Sequence, residues 1–161
     1  MDEIPTEDVH EWLQCARFGE LDLIKHILAD IYPKLKQKLI NASDYESGNT
    51  ALHMAAANSH SKQMERYEDK YALLARQNKS GNTVLHWAAM SGNKDVLCAL
   101  FQKDPADIAA GGVEETEDEK FIPFGAIFNV KNNAGRTALD EAQMLGKDEV
   151  AGLLLKFSTL S

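Results

Sequence analysis

Gly48-Asn49-Thr50-Ala51-Leu52-His53-Met54-Ala55-Ala56 returns 33 residues later as Gly81-Asn82-Thr83-Val84-Leu85-His86-Trp87-Ala88-Ala89. Self-similarity at that period marks stacked helical repeats, each unable to bury its apolar face alone. A third copy, Gly135-Arg136-Thr137-Ala138-Leu139-Asp140-Glu141-Ala142, follows after 54 residues, a spacing of 33 plus an insertion of 21. Nine residues after each Thr stand Ser59, Gly92 and Gly146. Beyond them Val96, Leu97, Leu100 and Phe101 in one copy match Val150, Leu154 and Leu155 in the next, at helical spacing. Each motif residue has a physical task. Gly48, Gly81 and Gly135 suit a tight turn, and the Thr caps the helix that follows. Leu52, Leu85 and Leu139 face inward, and a left-handed residue is wanted at Gly92 and Gly146. Ser59 at that place should cost about 1 kcal/mol.

A fainter copy opens the chain. Cys15-Ala16, Gly19, Leu23-Ile24 and Ile27-Leu28 fall on the same template, which puts His10 in the Thr position. A degenerate first repeat reads as a cap, as does the last, where Asp140 replaces the motif His and Lys147-Asp148-Glu149 is polar. The second repeat is weak on its outer side. Gln63, Met64, Tyr67 and Glu68 stand where branched aliphatics are expected, so an irregular helix is predicted there. The expectation is an all-α solenoid of about four helix-turn-helix repeats joined by short hairpin loops. It forms one domain over 1–161, with repeats at about 6–40, 44–77, 78–108 and 131–161 and an acidic insertion at about 109–129.

Composition narrows the function. The 161 residues, 44% of them apolar, suit one globular domain, and no run reaches the ~20 apolar residues of a membrane helix. The acidic amino terminus is unlike a secretory signal. Cys15 and Cys98 lack metal-ligand spacing and read as small core hydrophobes. There is no P-loop, nucleophile elbow or zinc pair, so no enzyme, cofactor or metal is expected. A net charge of −8 disfavours nucleic acid and favours a basic protein partner.

The motifs Thr50-Ala51-Leu52-His53 and Thr83-Val84-Leu85-His86, with Ala-Ala following, resemble the Thr-Pro-Leu-His signature of the ankyrin-repeat family. The resemblance implies a rigid protein-binding scaffold, in which His53 and His86 bond to the backbone of the next repeat rather than act as bases or ligands. Positions four, seven and eight after the Thr then line a concave groove. They are Gln14 and Phe18, Met54 and Asn58, Trp87 and Met90, and Glu141 and Met144. A Trp flanked by Met suits an adaptable binding surface. The insertion adds a second candidate surface in Glu114, Glu115, Glu117, Asp118 and Glu119, followed by Phe121-Ile122-Pro123-Phe124. Loops of this length inside compact domains are usually functional or disordered.

Ala16-Arg17-Phe18-Gly19-Glu20-Leu21-Asp22, the Thr50–Asn58 stretch and Asn78-Lys79-Ser80-Gly81-Asn82-Thr83 resemble, more narrowly, fungal ankyrin chaperones dedicated to a ribosomal protein. That resemblance implies a cytoplasmic and nuclear protein holding a basic protein of the small ribosomal subunit during subunit biogenesis; a monomer is expected. The alternative is a regulatory adaptor docking a kinase, a phosphatase or a transcription factor.

Overall fold

A computed structural model describes residues 3–64, 74–101 and 127–159. Its helices are α1 Thr6–Phe18, α2 Leu21–Asp30, α3 Pro33–Asn41, α4 Ala51–Ala57, α5 Ser61–Met64, α6 Val84–Ser91, α7 Lys94–Phe101, α8 Ala138–Met144 and α9 Asp148–Thr159. Neighbours pack in two layers. The inner helices α1, α4, α6 and α8 lie side by side, and α2, α5, α7 and α9 back them. The apolar core runs between the layers, through Trp12, Ile24, Leu52, Leu85, Leu97, Leu100 and Leu154, each buried. The ankyrin-type all-α solenoid expected from the 33-residue period is the observed architecture.

The motif builds each inner helix in the same way. Thr50 Oγ1 accepts the His53 N–H at 3.4 Å, and the Thr50 N–H donates to His53 Nδ1 at 3.2 Å. Thr83 and His86 repeat both bonds at 3.4 and 3.1 Å. This reciprocal box satisfies two backbone donors that a helix start leaves open. With Nδ1 accepting, the other ring nitrogen is the donor. His53 Nε2 donates to the carbonyls of Arg76 (3.1 Å) and Asn82 (3.2 Å), and His86 Nε2 donates to Arg136 (2.8 Å). Each His therefore ties its repeat to the next. Burial pushes the His53 pKa down to about 4, against the opposing pull of the two carbonyls, so the ring is neutral.

The last repeat keeps the box without the tie. Asp140 Oδ2 accepts the Thr137 N–H at 2.9 Å, and Thr137 Oγ1 accepts the Asp140 N–H at 3.2 Å. A carboxylate has no second ring nitrogen with which to donate to a neighbouring repeat. The first repeat departs from its expected register. α1 begins at Thr6 with Pro5 as N-cap and no side-chain cap, so His10 sits inside the helix rather than at its start. The offset of 40 residues from His10 to Thr50 accommodates an additional helix, α3, which buries Leu39 and Ile40.

Ser59 takes φ 62, the left-handed conformation that Gly92 holds at φ 69 in the next repeat. A side chain there carries a steric cost that glycine avoids. At Gly92 an added Cβ would also come within 2.6 Å of the Lys147 side chain. The outer side of the second repeat is described only at α5 and from Leu74 onward; the expectations for Tyr67 and Glu68 lie outside the described residues. Gln63 is buried and its Nε2 donates to the Cys15 carbonyl at 3.2 Å, so this polar residue joins the first repeat to the second. Ile127 and Phe128, which the spacing assigns to the insertion, are core residues. Phe128 stacks on Phe101 at 5.7 Å, and Phe157 of α9 meets the same ring at 4.6 Å.

Candidate functional site

Three hairpin fingers precede the inner helices, over residues 43–50, 77–83 and 131–137. Each is closed by a backbone bond, Asp44 N–H to the Asn49 carbonyl (2.8 Å), Asn78 to Asn82 (2.9 Å) and Asn132 to Arg136 (2.9 Å). They are stapled in series. The Lys79 N–H donates to the Ser47 carbonyl at 2.9 Å, and the Asn133 N–H to Ser80 at 3.0 Å. Side chains add a second ladder, Asn78 Nδ2 to Asn49 Oδ1 at 2.8 Å and Asn132 Nδ2 to Asn82 Oδ1 at 3.0 Å. Arg76 closes the first finger from below, donating to the Asn41 carbonyl and to Ser43 Oγ.

A cleft of about 760 Å³ lies between α1, finger 1 and the inner helices α4 and α6. One face of α1 supplies Val9, Leu13, Gln14 and Arg17, the finger supplies Asp44, Tyr45 and Glu46, and the floor holds Met54, Asn58 and Trp87. Gln14, Met54, Asn58 and Trp87 are thus brought together, as the stripe four and eight residues past the cap position requires. Trp87 is half-buried. Its indole N–H donates to Asn49 Oδ1 at 3.2 Å, which fixes the ring edge and leaves part of its face toward the cleft.

The other candidates fall elsewhere. Phe18 and Met144 are 65% exposed and Met90 is half-buried, and none of the three lines the cleft. Glu141, placed on the groove by its spacing, is buried instead. Arg136 Nε and Asn132 Nδ2 both donate to its Oε1 at 2.8 Å. Burial raises its pKa, and these donors outweigh burial, leaving the carboxyl below its ordinary range. It braces finger 3 rather than facing a partner. Glu114, Glu115, Glu117, Asp118 and Glu119 lie outside the described residues.

Tyr45 and Glu46 at the finger tip, and Val9 one residue ahead of the template's Thr position, border the cleft without having been anticipated. One signal was available. Between the finger's first polar residue and Thr50 stands one residue more than in the two later fingers.

Chemically the cleft is a docking surface with an apolar floor and a mixed polar rim. The two buried imidazoles are consumed by the fold. Cys15 is buried with its thiol pKa pushed up to about 11 by that burial and by Glu20, so it is no nucleophile at neutral pH. Among the described residues no group of three or more His, Cys, Asp or Glu is placed to hold a metal ion. Nor is any described helix long and apolar enough to cross a membrane.

The family model for ankyrin repeats (three copies) matches residues 12–111, stopping short of the last repeat, whose capping box nevertheless follows the same plan. Among solved structures the chain is similar to one from the crystal structure of the yeast ribosomal protein Rps3 in complex with its chaperone Yar1. Identity is 31%, the match covers 96% of this chain and 95% of that one, and the TM-score is 0.68. No curated protein sequence matches.

Proposed function

The chain belongs to the ankyrin-repeat family, and we propose that it is a dedicated chaperone, holding a basic protein of the small ribosomal subunit until that protein is incorporated. The observation that carries this reading is the 31% identity over 96% of the chain to a structure whose subject is a ribosomal protein with its chaperone.

The physical chemistry fits the task. A free ribosomal protein exposes Lys and Arg destined for RNA phosphates. A scaffold of net charge −8 attracts that surface at long range, and the apolar floor around Met54 and Trp87 supplies short-range contacts that slow dissociation. Ribosomal RNA presents a denser array of negative charge and displaces the scaffold during assembly. The contact surface under this reading consists of Gln14, Met54, Asn58 and Trp87 in the cleft, with Phe18, Met90 and Met144 farther along the inner helices. Such a chaperone works in cytoplasm and nucleus, where subunit proteins are made and used.

The test is a pull-down with the full chain at low and at moderate salt, with captured proteins identified by mass. One stoichiometric basic small-subunit protein, weakened by salt, is the expected result. Recovery of a kinase, a phosphatase or a transcription factor instead would replace the chaperone reading with that of an adaptor.

A further inference from the structure

The three fingers share one plan, with one exception at a tip. In fingers 2 and 3 a single residue, Lys79 or Asn133, follows the closing Asn, and its N–H staples onto the preceding finger. In finger 1 two residues, Tyr45 and Glu46, stand between Asp44 and Ser47. The body of the finger is held regardless. Asp44 accepts from the Ser47 N–H at 2.8 Å and from its hydroxyl at 2.6 Å, and Ser47 receives the staple from Lys79. The surplus residue is therefore taken up at the tip, on a rigid base, and it carries Tyr45 outward.

Tyr45 is 90% exposed, the most exposed large apolar side chain among the described residues, and it borders the cleft. A ring so placed contributes nothing to the core. The group it does engage is a cation. The Lys79 ammonium lies 4.9 Å from the ring centroid and also donates to the Tyr45 carbonyl. A cation within about 6 Å of an aromatic face is attracted by the ring's negative quadrupole. Lys79 takes up little of the ring at 90% exposure, and Glu46 stands next to it on the same rim.

We propose that Tyr45 is a cation-reading residue, stacking an arginine or lysine side chain of the segment seated in the cleft, with the Glu46 carboxylate as its ionic partner. The inference rests on the reading that this cleft receives a basic protein. It adds which residues select for charge, as distinct from the apolar floor that supplies contact area. The competing role for Tyr45 is a strut, bracing finger 1 against Lys79, and a strut would register in stability.

Two short amphipathic peptides separate these roles, one alternating leucine with arginine and one identical but with citrulline, a neutral isostere, in place of arginine. Binding to the full chain is read by fluorescence anisotropy, beside the melting midpoint of each variant. The arginine peptide should bind wild type and Tyr45→Phe about fivefold tighter than the citrulline peptide. In Tyr45→Leu, which keeps apolar area and loses the quadrupole, that ratio should fall toward two, with the midpoint unchanged. An undiminished ratio in Tyr45→Leu, a lowered midpoint, or no difference between the peptides in wild type overturns the proposal. Yeast Rps3 titrated in parallel keeps the two readings apart. If Rps3 does not bind while the peptide ratio behaves as expected, the chaperone reading fails and cation reading at Tyr45 stands.

Discussion

The third repeat and the first are built on one template and spend their residues differently. In the third, Thr83, Leu85, His86, Ala88 and Ala89 are all buried, and each has a structural task. Only the variable position, Trp87, reaches the cleft. In the first repeat, α1 starts a turn early, α3 fills the space before the finger, and the finger tip is one residue longer. Two of these departures, the early turn with Val9 and the tip with Tyr45, border the same cleft. The repeat that obeys the template supplies stability and one anchor. The repeat that breaks it supplies the walls of a site, because residues outside the template's structural positions are free to face outward.

The largest effect should come from the regular repeat. Leu85→Ala should destabilise the fold by about 2–5 kcal/mol, read as a fall in the unfolding midpoint, because it opens a cavity where Leu85 is wholly buried. Tyr45→Ala, in the irregular finger, should leave the midpoint nearly unchanged. Equal losses would erase the contrast.

Acidification should act through the same regular units. The native His53 pKa lies at about 4, below the usual 6.5, so the unfolded chain takes up a proton between these values while the folded one refuses it. The contribution is complete above pH ~6.5 and is lost as pH falls toward ~4, amounting to about 3 kcal/mol. Ring-proton NMR of His53 across that range, with unfolding midpoints alongside, checks both value and sign. Titration of His53 near 6.5 would mean that it does not tie the repeats together.

Trp87 tests whether the template's variable position is an anchor. Trp87→Ala should weaken binding of a basic ribosomal protein such as yeast Rps3 by about 2 kcal/mol, mainly through faster dissociation. Stopped-flow association and dissociation rates separate that from an effect on encounter. The smallest effect concerns the repeat between the two. Ser59→Gly should raise stability by about 1 kcal/mol, since Ser59 occupies φ 62 where Gly92 relieves the strain. No gain in the melting midpoint would show that the Ser59 side chain offsets its backbone strain.

These contrasts also explain what the sequence disclosed. The Thr box, the Leu core and the left-handed positions repeat at fixed spacing and are set by local chemistry, so they were legible residue by residue. Gln14, Met54, Asn58 and Trp87 followed from the same spacing. Glu141 did not, because its burial depends on Arg136 and Asn132 folding back from finger 3, a contact that helical periodicity does not encode. The early start of α1 was hidden for a related reason. Its N-cap is Pro5, which makes no side-chain cap bond, so no Thr box marks the helix start and the His10 register misled. Tyr45 was readable by counting residues along each finger, yet its meaning appears only when the tip is seen beside α1 and Trp87.

The most direct test of this division is amide hydrogen exchange on the full chain, free and bound to yeast Rps3. Occupation of the cleft should slow exchange in finger 1 (residues 44–49) and in the first turns of α1, while the outer helices α7 and α9 keep their free rates. Protection confined to α7 and α9, with finger 1 unchanged, would place the partner on the opposite face and contradict the account.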